Sequence, residues 1–307
     1  MTVQRKAQIR SRIRYNIPLC LLALPAFVYI VIFNFLPMFG VVIAFMDFNP
    51  VDMFDSTWAG LKYFKFFFES NDIATVLRNT LLYNLVFIFL KQFLSVLVAL
   101  GLYEVTSRKT LKVYQTSLIL PNFISWVLVA YIGFALFSHE NGIMNSVITA
   151  MGGEPIYWYA EPKYWPFILT IFEMWKTVGM GCIVYYAALM GLDESLFEAA
   201  RLDGANKFQQ IKFISLPSIL PIICVMLIMA LGGVMGGDFG LFYQLPMESS
   251  TLYSVTDVLG TYQQRGLQAG NMSQTAAVGL FQAVVGLVLV LVTNTVVKKL
   301  NPDNAMF

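Results

Sequence analysis

Glu198-Ala199-Ala200-Arg201-Leu202-Asp203-Gly204-Ala205 lies between two long apolar runs, and nine residues separate its Gly204 from the sequel Ile214-Ser215-Leu216-Pro217. Asp193, just ahead, suits a helix start because its carboxylate can accept a free backbone N–H. Leu196, Phe197, Ala200 and Leu202 then form an apolar stripe at helical spacing, and Gly204 supplies the conformational freedom for a sharp turn. A second short helix is expected to run into Pro217, whose missing N–H costs nothing at the start of the next apolar run. The result is a rigid elbow, apolar along one stripe and carrying Glu198, Arg201 and Asp203 elsewhere. It is shaped either to lie in a groove on a partner and pass a push to the runs on both sides, or to pack on its own bundle at the interface.

Working outward, the runs themselves fix the class. Of 307 residues 58% are hydrophobic and 12% charged, against about a quarter charged in an ordinary soluble domain. A soluble fold cannot cover that much apolar surface. About 20 apolar residues cross a hydrocarbon core as a helix, and six such segments are present: Ile17 to Phe45, Val76 to Tyr103, Tyr114 to Phe137, Trp165 to Met190, Pro217 to Val234 and Thr275 to Val297. The expected fold is an all-α membrane protein of six transmembrane helices. Pro25 and Pro37 in the first run and Pro121 in the third predict kinks.

Basic residues near span ends are retained on the cytoplasmic side. Arg5, Lys6, Arg10, Arg12 and Arg14 precede the first run, Arg108, Lys109 and Lys112 lie between the second and third, Arg201, Lys207 and Lys212 between the fourth and fifth, and Lys298 and Lys299 after the sixth. Those thirteen cations face five in the opposite loops (Lys62, Lys65, Arg78, Lys163, Arg265), which hold eleven acids. Both termini and the Glu198 loop are therefore expected in the cytoplasm. The organisation reads as a basic tail over 1–16, one six-helix domain over 17–297 with its loop at 192–217, and a cytoplasmic tail over 298–307. The first run is too long for a secretory h-region and is expected to be retained. The external stretches from Asp47 to Thr75, His139 to Tyr164 and Gly236 to Gln274 are expected to form lids and short amphipathic helices. Cys20, Cys182 and Cys224 show no CxxC spacing, and His139 is the single histidine, so neither a disulfide nor a metal site is expected.

The pattern E-A-A, three residues, G, nine residues, I, one residue, L-P is similar at every fixed position to the signature of the permease subunits of binding-protein-dependent ABC importers. The resemblance implies the type I ABC importer permease fold and an ATPase-coupling role for Glu198, Ala199, Ala200, Asp203, Gly204, Ala205, Ile214, Leu216 and Pro217, seated in a cleft of a cytoplasmic ATPase. Small Ala199 and Ala200 would allow close approach, while Glu198 would pair with a cation on the ATPase or cap within the loop. The chain has no GxxxxGK[ST] loop, so ATP and Mg²⁺ would be bound by the ATPase and this chain would hold no cofactor and catalyse no reaction. One docking motif per chain implies a second permease subunit and two ATPase subunits, with an extracytoplasmic solute-binding protein delivering cargo across a bacterial cell membrane; no nucleic-acid partner is expected.

Further stretches resemble the carbohydrate branch of that family, in particular permeases for oligosaccharides and polysaccharide fragments. They are Leu120-Pro121-Asn122-Phe123-Ile124-Ser125-Trp126, Gly260-Thr261-Tyr262 with Gly266-Leu267, and Thr275-Ala276-Ala277-Val278-Gly279-Leu280-Phe281. The ending Asn304-Ala305-Met306-Phe307 departs from that group's Leu-Trp. Sugar recognition needs aromatic faces for pyranose rings and polar groups for their hydroxyls. Asn122, Ser125 and Trp126 are pathway candidates because a polar pair interrupts an apolar run beside an aromatic, although Ser and Asn also bond neighbouring helices and Trp also anchors at interfaces. Glu173 and Lys176 lie three residues apart on one helical face inside the fourth run, where each can partly neutralise the other. Lys91 in the second run can snorkel or pair in the same way. Asp238, Tyr243, Tyr253 and Tyr262 belong to the external segment before the last run, where a binding protein or an emerging sugar would meet them. The alternative is a proton-coupled secondary transporter built on Glu173 and Lys176, but such a protein would show inverted repeats and has no use for a docking signature.

Overall fold

The computed structural model describes residues 16–18, 21–51 and 55–300, the side chain of Leu300 excepted. The cations at positions 5 to 14, Cys20, Asp52 and the chain beyond Leu300 lie outside the described residues. The chain divides into two compact units, one holding residues up to Phe68 with Ala269–Leu280 and the other Glu69–Gln268 with the residues from Phe281 on.

In the first unit the leading apolar run is helical over residues 21–45 but changes type along its length. Pro37 has no N–H to give, so the ladder slips: Val31–Phe35 forms a π-turn closed by the Leu36 N–H on the Val31 carbonyl, and Phe39–Phe45 tightens to 3₁₀. The kink predicted from Pro37 is thus a change of hydrogen-bond register. Strands β1 (Met46–Asp47) and β2 (Thr57–Trp58) pair antiparallel, Met46 opposite Trp58. Helix α1 (Lys62–Glu69) returns Lys62 to Asp47 at 2.7 Å, and the Tyr63 hydroxyl donates to the same carboxylate.

The second unit is built on α2 (Ile73–Tyr103) and α6 (Trp165–Met190), which form its most extensive helix pair. Pro166 starts α6, where its missing N–H is harmless, and Gly191 ends it, so the fourth predicted span is reproduced to the residue. Toward one end the pair buries Tyr83, Phe87, Trp165, Leu169 and Phe172 with Leu241 and Phe242; toward the other it buries Ala99, Leu102, Cys182, Tyr185 and Leu189 with Ile219. Much of the remaining apolar surface faces outward, as at Leu82, Val86, Phe89 and Phe93 on α2, the distribution expected when lipid replaces water as solvent.

Between α2 and α6 the third run departs from expectation. Instead of one kinked span over Tyr114 to Phe137, it forms α3 (Arg108–Ile119) with a 3₁₀ turn Leu120–Phe123, then α4 (Trp126–Phe137), and the two arms meet at 97°. Pro121 removes a donor, Ile124 goes extended at ψ 130°, and Ser125 restarts the chain by accepting the Leu128 N–H at 3.3 Å. A break of this kind leaves carbonyls open in a region without water. Lys176 of α6 closes them, its ammonium donating to the carbonyls of Pro121 (3.3 Å), Asn122 (2.9 Å) and Ile124. α6 reaches this joint because Gly179 has no side chain: a Cβ there would lie 1.7 Å from the Leu118 carbonyl oxygen.

Further helices are α5 (Ile143–Ala150), α7 (Glu194–Leu202), α8 (Lys207–Gly232), α9 (Phe239–Gln244), α10 (Leu259–Gln268) and α11 (Met272–Leu300), with a single turn at Tyr253–Thr256 between α9 and α10. The short α1, α5, α9 and α10 occupy the stretches expected to be lids. Span five starts ten residues before the predicted Pro217, because α8 runs on through a π-turn at Ile211–Ser215, where the Leu216 N–H reaches back to Ile211 ahead of Pro217. Among the described residues five helices are long and apolar enough to cross a membrane, or six with the bent pair counted as one span.

Replacing Lys176 by Met would orphan carbonyls at about 1–3 kcal/mol each. Lys176→Met is expected to lower the thermal unfolding midpoint of the purified protein and to expose Trp126 to collisional quenchers. An unchanged midpoint and quenching would show that the ammonium does not hold the joint.

Candidate functional site

The loop after α6 is an elbow of defined geometry. Asp193 accepts the Ser195 N–H at 3.0 Å and caps α7, and this bond holds its carboxyl below the usual carboxylate range. α7 then ends in a Schellman stop: the Ala205 N–H bonds the Ala200 carbonyl (2.9 Å), the Gly204 N–H bonds the Arg201 carbonyl (3.1 Å), and Gly204 adopts φ +82°. This arrangement explains the spacing of the E-A-A and G positions. Ala200 supplies the carbonyl three residues inside the cap, Gly204 takes the left-handed position, and small Ala205 completes the reverse bond. Asn206 and Gln209 form a reciprocal capping box that starts α8 at once.

Phe197 turns inward, 4% exposed and 5.8 Å from the Tyr103 ring, while Lys207 pairs with Glu104 at the end of α2. The apolar stripe read from the sequence therefore divides between two faces: Phe197 anchors the elbow, and Leu202 (90% exposed) points away with Phe208 (72% exposed). Glu198, Ala199, Asp203, Gly204 and Pro217 are exposed, and Ala200, Ala205, Ile214 and Leu216 half-buried. The cap is Asp193, and among the described residues Glu198 has no hydrogen-bond or ion-pair partner, so the capping role considered for it is not realised.

A polar cavity of about 250 Å³ opens among α2, α6 and the end of α8. Its lining includes Asn84, Lys91 and Gln92 from α2, Glu173 from α6, Gly233, and Asp238 ahead of α9. Glu173 is 7% exposed and its Oε2 has no hydrogen-bond partner among the described residues. Asp238 accepts the Trp126 indole N–H at 2.7 Å and caps α9 through the Gly240 N–H at 2.9 Å. The Lys176 ammonium lies 5.2 Å from the centre of the Trp126 ring.

The predicted pathway residues thus separate. Glu173 lines the cavity; Trp126 and Lys176 build the joint behind Asp238; Asn122 presents its backbone carbonyl to Lys176; Ser125 is a helix cap. Glu173 and Lys176 form no salt bridge among the described residues: the ammonium is turned onto the carbonyls of the broken span, and its charge reaches Glu173 only across space. Tyr243 and Tyr253 line a crevice with Asp257 and Arg265, where the guanidinium bonds Asp257 at 2.9 and 2.6 Å and lies 4.8 Å from the Tyr253 ring centre. Tyr262, half-buried on α10, lies outside that lining. Asn84 and Gln92 were missed by sequence reasoning. Their signal was present: 84, 91 and 92 are spaced seven and eight apart, one helical face crossing an otherwise apolar run.

Comparison with known proteins places this geometry. Protein LplB of Bacillus subtilis (strain 168) is 36% identical over 290 residues, covering 93% of this chain and 90% of that one. The polygalacturonan/rhamnogalacturonan transport system permease protein YteP of the same organism is 34% identical over 290 residues, covering 93% and 89%. The crystal structure of a bacterial ABC transporter involved in the import of the acidic polysaccharide alginate matches with TM-score 0.86 and 32% identity, over 96% of this chain and 99% of that one. The crystal structure of a bacterial alginate ABC transporter in complex with an alginate pentasaccharide-bound periplasmic protein matches with TM-score 0.83 and 32% identity, over 94% of this chain and 97% of that one. The fold is that of a type I ABC importer permease, with five or six spans. The sequence pattern described as "Binding-protein-dependent transport system inner membrane component" matches residues 91–305, and the chain belongs to that family of ABC importer permeases.

Proposed function

We propose that this chain is the translocation subunit of an ATP-driven importer that takes up an oligosaccharide delivered by an extracytoplasmic binding protein, in a bacterial cell membrane. The observation that carries the reading is the elbow. Its Schellman stop and capping box hold an exposed surface of Glu198, Ala199, Leu202 and Phe208 at the foot of two spans, where a docked ATPase would find a rigid handle.

The handle is mechanically connected. α8 begins inside the elbow at Lys207 and runs 26 residues to Gly232, about 39 Å at 1.5 Å per residue. Met226, Ala230 and Gly233, at its far end, line the polar cavity. A rotation imposed on the elbow is therefore felt at the cavity wall, the coupling that alternating access requires. Hydrolysis belongs to two partner ATPase subunits holding ATP and Mg²⁺, and this chain contributes no catalytic group. A second permease completes the pathway, and both termini lie in the cytoplasm with the elbow. In the pathway, Glu173, Asn84 and Gln92 offer acceptors and donors to sugar hydroxyls.

The carbohydrate assignment draws on the relatives named for polygalacturonan, rhamnogalacturonan and alginate transport. The secondary-transporter alternative loses its main support, because Lys176 is committed to backbone carbonyls rather than to Glu173.

Gly204→Val places a β-branched residue at φ +82° and destroys the stop; Glu198→Lys reverses a charge on the exposed face. In the reconstituted complex both are expected to reduce ATPase stimulation by sugar-loaded binding protein at least tenfold, with membrane insertion unchanged. Normal stimulation and uptake in both variants would contradict the docking role. Glu173→Leu removes a buried acceptor worth about 1.5–3 kcal/mol when it meets a donor, so uptake should fall at least tenfold in an assembled complex. Full uptake by this variant would remove Glu173 from the pathway.

A further inference from the structure

At the opposite end of α6 from the elbow lies a cleft of about 400 Å³ to which the function described above gives no task. That volume lies within the roughly 300–1,000 Å³ typical of small-molecule sites. Phe134, Phe137, Tyr157, Trp158 and Tyr159 supply aromatic wall, and Ser138, His139 and Glu140 supply polar groups. The His139 imidazole stacks on the Tyr157 ring with centroids 3.5 Å apart and planes at 14°, yet Tyr157 remains 61% exposed. One face of the phenol ring is thus backed by a flat neighbour.

The cleft is held open by a buried hub. Asn145 of α5, 4% exposed, donates to the carbonyls of His139 (3.1 Å) and Ile156 (2.9 Å) and accepts from the Ile156 N–H (3.0 Å) and the Trp158 indole (2.9 Å). The Trp165 indole then donates to the Trp158 carbonyl at 2.8 Å. These bonds tie both lips of the cleft, residues 138–140 and 156–160, to one side chain. Aromatic residues that merely anchor a span at the lipid interface need no such support; a site that must not lose affinity to ordering does.

We propose that this cleft binds a pyranose ring of the incoming oligosaccharide on the extracytoplasmic face, before the sugar enters the membrane cavity. The apolar face of the ring stacks on the aromatic wall at Tyr157, and its hydroxyls meet the His139 imidazole and the Glu140 carboxylate. Membrane spans separate this subsite from the elbow, so it acts on capture and not on coupling. The proposal rests on the carbohydrate-import reading, and its test keeps the two apart.

The full chain in lipid nanodiscs would be examined by saturation-transfer NMR with trigalacturonate, cellotriose and maltotriose. Transfer to ring protons of at least one trisaccharide is expected, with affinity lost at least tenfold in Tyr157→Ala and retained in Tyr157→Phe, which preserves the stacking ring. Absence of transfer from all three sugars in the unaltered chain, or equal transfer in Tyr157→Ala, would overturn the proposal. So would a Tyr157→Ala complex that loses stimulation by loaded binding protein while the chain alone binds no sugar, since the cleft would then be a protein contact. If the importer reading itself were wrong, sugar-loaded binding protein would fail to stimulate even the unaltered complex, an outcome separate from each of these.

Discussion

A buried ammonium on open backbone carbonyls holds this permease in shape. The 97° break between α3 and α4 is tolerable inside a membrane only because Lys176 donates to the carbonyls of Pro121, Asn122 and Ile124. The same side chain lies beside Trp126, whose indole N–H fixes Asp238, and Asp238 in turn caps α9 and lines the polar cavity. α6 comes close enough because residue 179 is glycine. Removal of the charge would therefore disturb the broken span, the indole, the cavity wall and the external helix together.

Around that joint the second unit divides its labour by position along α6. One end carries the aromatic cleft organised by Asn145, the middle carries the Glu173 cavity, and the far end passes through Gly191 into the elbow. α8 links the elbow to the cavity as a single helix, with a π-turn where Pro217 interrupts the ladder. Leu36-Pro37 and Leu216-Pro217 produce the same local solution, a five-residue reach by the leucine N–H. The reason is general: a proline cannot serve the carbonyl four residues back, and a widened turn accommodates that loss without ending the helix.

How much of this was legible in sequence depends on how local the determinant is. α6 was readable to the residue because Pro166 and Gly191 mark its ends, and the elbow was readable because the spacing of Ala200 to Gly204 is that of a Schellman stop. Pro217 marks a helix start by its residue type, but α8 begins at Lys207 and has passed through a register change before it reaches that proline. The size of the bend at Pro121 and the partners of Lys176 could not be read, since they are set by contacts more than 50 residues away in the chain. For that reason the partial neutralisation expected of Glu173 and Lys176 stops short of a direct ion pair: the ammonium is drawn to unsatisfied carbonyls on another element. The periodicity that joins Asn84 and Gln92 to Lys91 is legible in the sequence, seven and eight residues along one helical face.

The central claim is that the elbow docks an ATPase and that this chain moves sugar only within a larger assembly. The most direct measurement is purification of the tagged chain from its own membranes in mild detergent, with identification and stoichiometry of everything that remains bound. The account predicts two ATPase subunits and a second permease in a complex whose ATP hydrolysis rises when sugar-loaded binding protein is added. A stable lone chain that moves solute across a bilayer without ATP would contradict it.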